Sequence, residues 1–235
     1  MKRLNNGLPD CACVVAAAGS SVRMGGTDKI FTELCGVPVL LRTLRVFSAC
    51  SFISEIAVVV RGDSVDRASE LIKADGLSKV KFILAGGSER VSSVTIGVSA
   101  LPKRTKYIAV HDGARPLVTA DIIENTLRAA LKYGAAACAV PVKDTVKTAK
   151  DGIVTSTPDR ASLFAVQTPQ IFDAQLLKAA LFAAQEKGLA VTDDCMAVEA
   201  IGGTVALADG SYENIKITTP ADLIFAGAVI KERES

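Results

Sequence analysis

Short apolar runs alternate along the chain with longer amphipathic stretches. Residues 12–18 (ACVVAAA), 55–60 (EIAVVV), 81–86 (KFILAG), 107–112 (YIAVHD) and 135–140 (AAACAV) are nearly continuous in apolar side chains. That is the pattern of strands buried on both faces. Helical spacing fills the gaps: 37–49, beginning after Pro38, then 64–74, 90–100 with an interruption at Gly97, and 119–133. Thr119 is suited to cap the last of these, with Asp121 in its first turn. Further on, 173–187 reads as a helix, and Thr192 is the expected cap of another beginning Asp193-Asp194. Residues 204–207 and 215–217 read as short strands. Thr219 and Pro220 open a final helix, and the closing KERES is expected to fray. Strand–helix alternation of this kind predicts an α/β fold with a largely parallel sheet covered by helices on both faces. Chemistry then belongs to the loops at the C-terminal ends of strands. The loops after residues 18, 86 and 110 are where the unusual residues fall.

The rhythm breaks at residues 141–160, PVKDTVKTAKDGIVTSTPDR. Asp151-Gly152 is a strong hairpin turn signal. The flanks hold Thr and Val but few large apolar residues to cover them, so the hairpin is expected to project from the body. Isolated hairpins are marginal, which points to support from a partner subunit; a loose surface excursion is the alternative.

Size and charge narrow the classes. The chain has 235 residues, enough for one domain with a substantial core. Lys and Arg number 27 against 25 Asp and Glu, a net charge of +2. No basic block or aromatic stacking pattern accompanies it, so nucleic acid is not an expected partner. Asn5, Asn6, Gly7, Pro9 and Asp10 break up any secretory leader. No run of 18 apolar residues suggests a membrane span, and the cytoplasm is the expected compartment. Six cysteines lack C-x-x-C or Cys/His metal spacing, so buried free thiols are expected, with Cys11 and Cys13 on one strand face.

The first loop carries the sharpest signal. In VVAAAGSSVRMGGTDK (14–29) an apolar strand ends at Ala17-Ala18-Gly19, followed by Arg23, Gly25, Gly26 and Lys29. Such a loop can wrap a triphosphate with backbone N–H groups and two cations. It matches neither GxxxxGK[ST] nor GxGxxG. Asp112 closes the strand YIAVHD, where a carboxylate can hold Mg²⁺ beside phosphates, and Arg115 follows. His111, the sole histidine, faces away from Asp112 on the strand and reads as a structural, hydrogen-bonded residue. Gly86-Gly87-Ser88, with Arg90 and Ser93, makes a second small-residue loop able to grip a base or ribose. Lys216 adds a cation near a strand.

Taken in order, AAAGSSVRMGG, the Lys29 segment, GGSERVSSV, VHDGARP, PVKDTVK, TPDR, QTPQ, TDD and YENIKIT make the chain resemble the 2-C-methyl-D-erythritol 4-phosphate cytidylyltransferases, over about residues 14–218. Ribitol-5-phosphate cytidylyltransferases share most of these blocks. The resemblance implies a Rossmann-like nucleotidyltransferase fold, one domain over residues 1–235 with a dimerisation arm at about 141–163, and a homodimer formed by exchanging arms. It implies CMP transfer from CTP to a polyol phosphate with Mg²⁺. On this pattern Arg23, Lys29 and Lys216 stabilise the reacting α-phosphate. Ala17, Ala18, Gly19, Gly87, Ser88 and Ser93 hold the nucleotide, and Asp112 positions it with the metal. Arg115 and Thr168 lie by the polyol phosphate, which Thr145 and Arg160 reach across the dimer; Asp193 falls near the nucleotide.

The chain departs from the usual pattern at Thr27-Asp28, Ile30, Cys195 and Met196, where Met196 either narrows the nucleotide side or packs in the core. The AAG form of the first loop and Gly113-Ala114 lean toward methylerythritol phosphate over ribitol phosphate. A non-catalytic nucleotide sensor is a third reading, disfavoured because Arg23, Lys29, Asp112 and Lys216 are all present.

Overall fold

A computed structural model describes residues 8–19 and 28–235. A seven-stranded sheet forms the centre. Its strands are β1 (Cys11–Ala17), β4 (Ile53–Val60), β5 (Val80–Ala85), β6 (Tyr107–Asp112), β7 (Ala135–Pro141), β10 (Phe164–Asp173) and β11 (Ala206–Asp209), in the order β11-β7-β10-β6-β1-β4-β5. All neighbours pair in parallel except β10, which runs antiparallel between β6 and β7. Two two-stranded ribbons stand apart: β2 (Glu33–Leu34) with β3 (Val37–Pro38), and β8 (Thr148–Lys150) with β9 (Ile153–Ser156).

Helices cover both faces because strand residues alternate between two cores. Cys11, Cys13 and Val15 point to one side, where they pack with α1 (Val39–Ala49), α2 (Val65–Ala74) and α4 (Ala120–Tyr133). Ala12 and Val14 point to the other, against α3 (Arg90–Ala100), α5 (Ala174–Glu186) and α6 (Asp194–Glu199). Leu40, Leu44 and Phe47 recur at helical spacing on α1 and are fully buried. Burial of each such side chain is worth roughly 1.5–3 kcal/mol. The last helix, α7 (Pro220–Glu234), closes a third, smaller cluster with Leu34, Val39, Leu117 and Ile217. Gly97 does not interrupt α3. A Cβ there would lie 2.5 Å from Val14 Cγ1, so glycine lets the helix settle directly onto the sheet.

Several local expectations change. β10 was not foreseen as a strand. Residues 215–217 are irregular rather than a strand, and the strand expected at 204–207 runs Ala206–Asp209. Asp193, not Thr192, caps α6, its carboxylate accepting the Met196 N–H at 2.9 Å. The closing residues remain helical to Glu234 rather than fraying. Thr119 caps α4 as expected, and Pro220 occupies the first turn of α7. The Asp151-Gly152 turn joins β8 to β9 with both residues at positive φ, and every residue of that ribbon is exposed. The six cysteines are free, and all but Cys35 are buried. Among the described residues no helix is long and apolar enough to cross a membrane.

Candidate active site

At the C-terminal ends of β1, β5 and β6 the loops enclose a cleft of about 330 Å³. That is the scale of a small-molecule site. Ala17, Ala18 and Gly19 form one wall, Gly87, Ser88 and Ser93 another, with Lys29, Asp112 and Lys216 also on the lining. The cleft therefore gathers every residue expected to hold the nucleotide, with Lys29 and Lys216, from five separate stretches of chain. Arg23 lies outside the described residues.

Small side chains make this convergence feasible. A Cβ on Gly86 would come within 2.5 Å of Ala18 Cβ and 2.8 Å of Ser93 Oγ, so the first two loops touch only because glycine stands there. Ser93 Oγ donates to the Glu89 carbonyl at 3.0 Å and accepts the Gly87 N–H at 3.2 Å. Ser93 thus shapes the second loop from a largely buried place in the cleft wall, beside Gly87 and Ser88. Lys29 sits in a fixed segment: Asp28 pairs with Arg61 at 3.0 Å, and the Ile30 carbonyl accepts the Leu40 N–H at 2.9 Å. Ile30 itself is buried and lines the cleft, and Asp28 has an anchoring ion pair.

Asp112 is the electrostatic centre. Its carboxylate meets Lys216 Nζ at 3.0 Å, Arg115 Nε at 3.3 Å and Arg90 Nε at 4.0 Å. Burial pushes its pKa up, but the three cations outweigh that and hold it at about 2. It is ionised at neutral pH. Its backbone N–H donates to Thr168 Oγ1 at 3.0 Å. His111 is fully buried, and burial drives its pKa down to about 3. Its ring nitrogens contact Thr168 Oγ1 and the Arg115 carbonyl, a structural role as the sequence indicated.

Arg90 reads from the sequence as part of the second small-residue loop, with no role for its charge in the site. It lines the cleft and forms a 2.7 Å ion pair with Asp194, itself 1% exposed. No local signal joins residues 104 positions apart in the chain. Asp194 is delivered by β10: Gln170 Oε1 accepts the N–H of Asp194 at 3.1 Å and of Cys195 at 3.3 Å, and Gln170 Nε2 donates to Asp193 at 2.9 Å. Asp193 acts here as the helix cap. Gln167 works on the other side, accepting from Asn214 Nδ2 at 3.2 Å, two residues before Lys216. Both glutamines of QTPQ therefore clamp loops.

Other expected residues lie elsewhere. Arg115 is largely buried and donates to the Asn214 carbonyl at 2.7 Å; neither it nor Thr168, which is 4% exposed, lines the cleft. Thr145 and Arg160 are exposed around the projecting ribbon, and Arg160 Nη1 donates to the Lys143 carbonyl at 2.8 Å. Met196 neither lines the cleft nor packs in the core: it is 41% exposed.

A mostly parallel sheet with this cleft at its strand ends, a buried carboxylate ringed by cations and two small-residue loops defines an α/β protein of the nucleotidyltransferase class. Residues 11–232 match the family model described as IspD, 2-C-methyl-D-erythritol 4-phosphate cytidylyltransferase, and the chain belongs to that family. The enzyme of this name from Desulforamulus reducens is 44% identical over 223 residues, spanning 94% of this chain and 95% of its own. Its counterpart from Pelotomaculum thermopropionicum is 46% identical over 226 residues, covering 95% of each chain. The crystal structure of 4-diphosphocytidyl-2C-methyl-D-erythritol synthase from Anaerococcus prevotii superposes with a TM-score of 0.85 at 32% identity, covering 98% of this chain and all of the other. That of the Thermus thermophilus cytidylyltransferase gives 0.77 at 32% identity, covering 93% and 98%.

Proposed function

We propose that this protein transfers CMP from CTP to 2-C-methyl-D-erythritol 4-phosphate, forming 4-diphosphocytidyl-2-C-methyl-D-erythritol and pyrophosphate. The observation that carries this reading is the ionised Asp112 held by Lys216, Arg115 and Arg90 in a cleft that Lys29 also lines. A phosphate oxygen of the acceptor attacks the α-phosphorus of CTP. The bond from that phosphorus to the bridging oxygen breaks, and pyrophosphate leaves. Both reactants are anions, so the cationic cleft brings them together and meets charge developing on the non-bridging oxygens. Lys29, Lys216 and Arg23 are assigned that work, and the loops at 17–19 and 87–88 the grip on the nucleotide.

Mg²⁺ fits this donor set. It is commonly held by one or two carboxylates together with substrate phosphates, and Asp112 offers one ionised carboxylate at the cleft. Bound there with the triphosphate, the ion would neutralise phosphate charge. We assign residues 1–235 to one cytoplasmic catalytic domain, with 141–163 as an arm exchanged in a homodimer. Ile153 at 72% exposure and Val154 at 56% support that assignment, since an apolar ribbon edge calls for cover. Thr145, Arg160, Arg115 and Thr168 are assigned to the acceptor side on family grounds. The test is pyrophosphate release with CTP and Mg²⁺, comparing methylerythritol 4-phosphate with ribitol 5-phosphate. Preference for the first is expected; preference for the second keeps the chemistry and overturns the acceptor.

A further inference from the structure

Thr168 and His111 stay off the cleft, yet both are tied to the charged turn that ends β6. The Arg115 carbonyl, 3.3 Å from His111 Nε2, can only accept a hydrogen bond, so Nε2 carries the ring proton. In a neutral imidazole Nδ1 is then bare. Thr168 Oγ1, 3.1 Å away, donates its single hydrogen to it. The same oxygen accepts the Asp112 N–H at 3.0 Å. The bonds run one way: from Asp112 N–H to Thr168, from Thr168 O–H to His111, from His111 Nε2–H to Arg115. They close a loop around residues 112–115, whose end side chains also meet at 3.3 Å. The Phe47 ring, 4.8 Å from the imidazole and fully buried, closes off that side of the ring. Asn214 Nδ2, donating to the Thr168 carbonyl at 2.9 Å, fixes Thr168 from the other side.

We propose that His111 and Thr168 are positioning residues, a buried brace that holds Asp112 and Arg115 in place for Mg²⁺-bound CTP, with His111 working as the neutral Nε2–H tautomer. The purpose of the brace rests on the nucleotide role given to Asp112 above. Its geometry does not. This assignment gives Thr168 work on the nucleotide side, through Asp112, and distinguishes it from a residue that only contacts the acceptor phosphate.

Two measurements separate the possibilities. His111 is the only histidine, so ¹⁵N-labelled protein gives one imidazole pattern. The Nε2–H tautomer is expected in the wild-type chain; an Nδ1–H tautomer overturns the brace without any variant having to fold. Calorimetry then reads Mg²⁺–CTP binding with no acceptor present. Thr168→Val strands the Asp112 N–H and is expected to weaken binding about tenfold, the scale of one unsatisfied buried group. Thr168→Ser keeps the hydroxyl and is expected to recover it, and Thr168→Val with His111→Asn is expected to lose no more than the larger single loss. Unchanged nucleotide binding in Thr168→Val, with only acceptor use impaired, overturns the positioning role. Absence of Mg²⁺–CTP binding in the wild type overturns the nucleotide reading, whereas the tautomer reports on the brace alone.

Discussion

The Arg90–Asp194 pair is unequal in its surroundings, and that inequality predicts unequal costs. Asp194 is 1% exposed, whereas the Arg90 side chain keeps 27% of its surface and has Asp112 as a second anion at 4.0 Å. Arg90→Met strands a carboxylate in an enclosed site, for which the loss is about 3–5 kcal/mol. Asp194→Asn leaves a partly solvated guanidinium with another partner, and the loss is about 1–3 kcal/mol. The Asp194 pKa is already raised, because burial outweighs the attraction of Arg90. In Arg90→Met it rises further. A carboxyl whose folded pKa exceeds its unfolded one binds protons more tightly when folded, so its penalty shrinks as pH falls toward the ordinary carboxylate value of about 4. Arg90→Met should therefore regain part of its deficit on mild acidification, and adding Asp194→Asn should relieve it near neutrality. Urea unfolding of the three variants from neutral to mildly acidic pH measures this. Equal losses in the two single variants, or a deficit in Arg90→Met that grows on acidification, would refute the argument.

Lys29→Ala should lower kcat by at least about 10²-fold in steady-state pyrophosphate release, the scale of one preorganised charge-stabilising donor; near-normal turnover removes it from the transition state. Asp112 is held at about 2, below its ordinary 3.8, so its ionised form contributes roughly 2 kcal/mol of stability above about pH 4 that disappears as pH falls to about 2. Acid titration of stability should accordingly be shallower in Asp112→Asn, and an unchanged slope counts against the three-cation site. Arg160→Ala should weaken acceptor use and spare CTP affinity. Mixing Arg160→Ala and Lys29→Ala chains should restore activity if arms complete each other's sites, and mixtures no more active than their parts would dismiss that arrangement.

Strand–helix alternation was legible because buried parallel strands are apolar throughout, as in VVAAA and IAVVV, and helices between them carry one apolar stripe. β10 was not, for a physical reason. Its middle, Gln167-Thr168-Pro169-Gln170, contains a proline and three polar residues, which argues against a central strand. Those side chains are buried because they bond to loops from distant parts of the chain, and partners of that kind leave no periodic trace. The cleft loops were visible through glycine and cation composition. The Arg90–Asp194 and Lys216–Asp112 pairs were not, since each joins stretches about a hundred residues apart. The cap of α6 was misplaced by one position because Thr192 and Asp193 are both good cap residues; Asp193 has Gln170 to hold its second oxygen.

The return path from the projecting ribbon has a consequence for how the chain tolerates changes of length. β9 ends at Ser156, one short helical turn occupies Arg160–Ser162, and β10 begins at Phe164, only three residues before Gln167. From Gln167 to Phe172 every side chain of β10 is buried, so that stretch leaves little room for an added residue. An insertion at the Asp151-Gly152 tip would lengthen an exposed turn and leave the rest in register. One between Phe164 and Gln167 would fall beside the stretch, between Val166 and Gln170, where β10 already departs from regular pairing with β7, and would displace Thr168 from Asp112 and both glutamines from their loops. The ribbon is thus free to vary at its far end, while its root has a fixed count of residues.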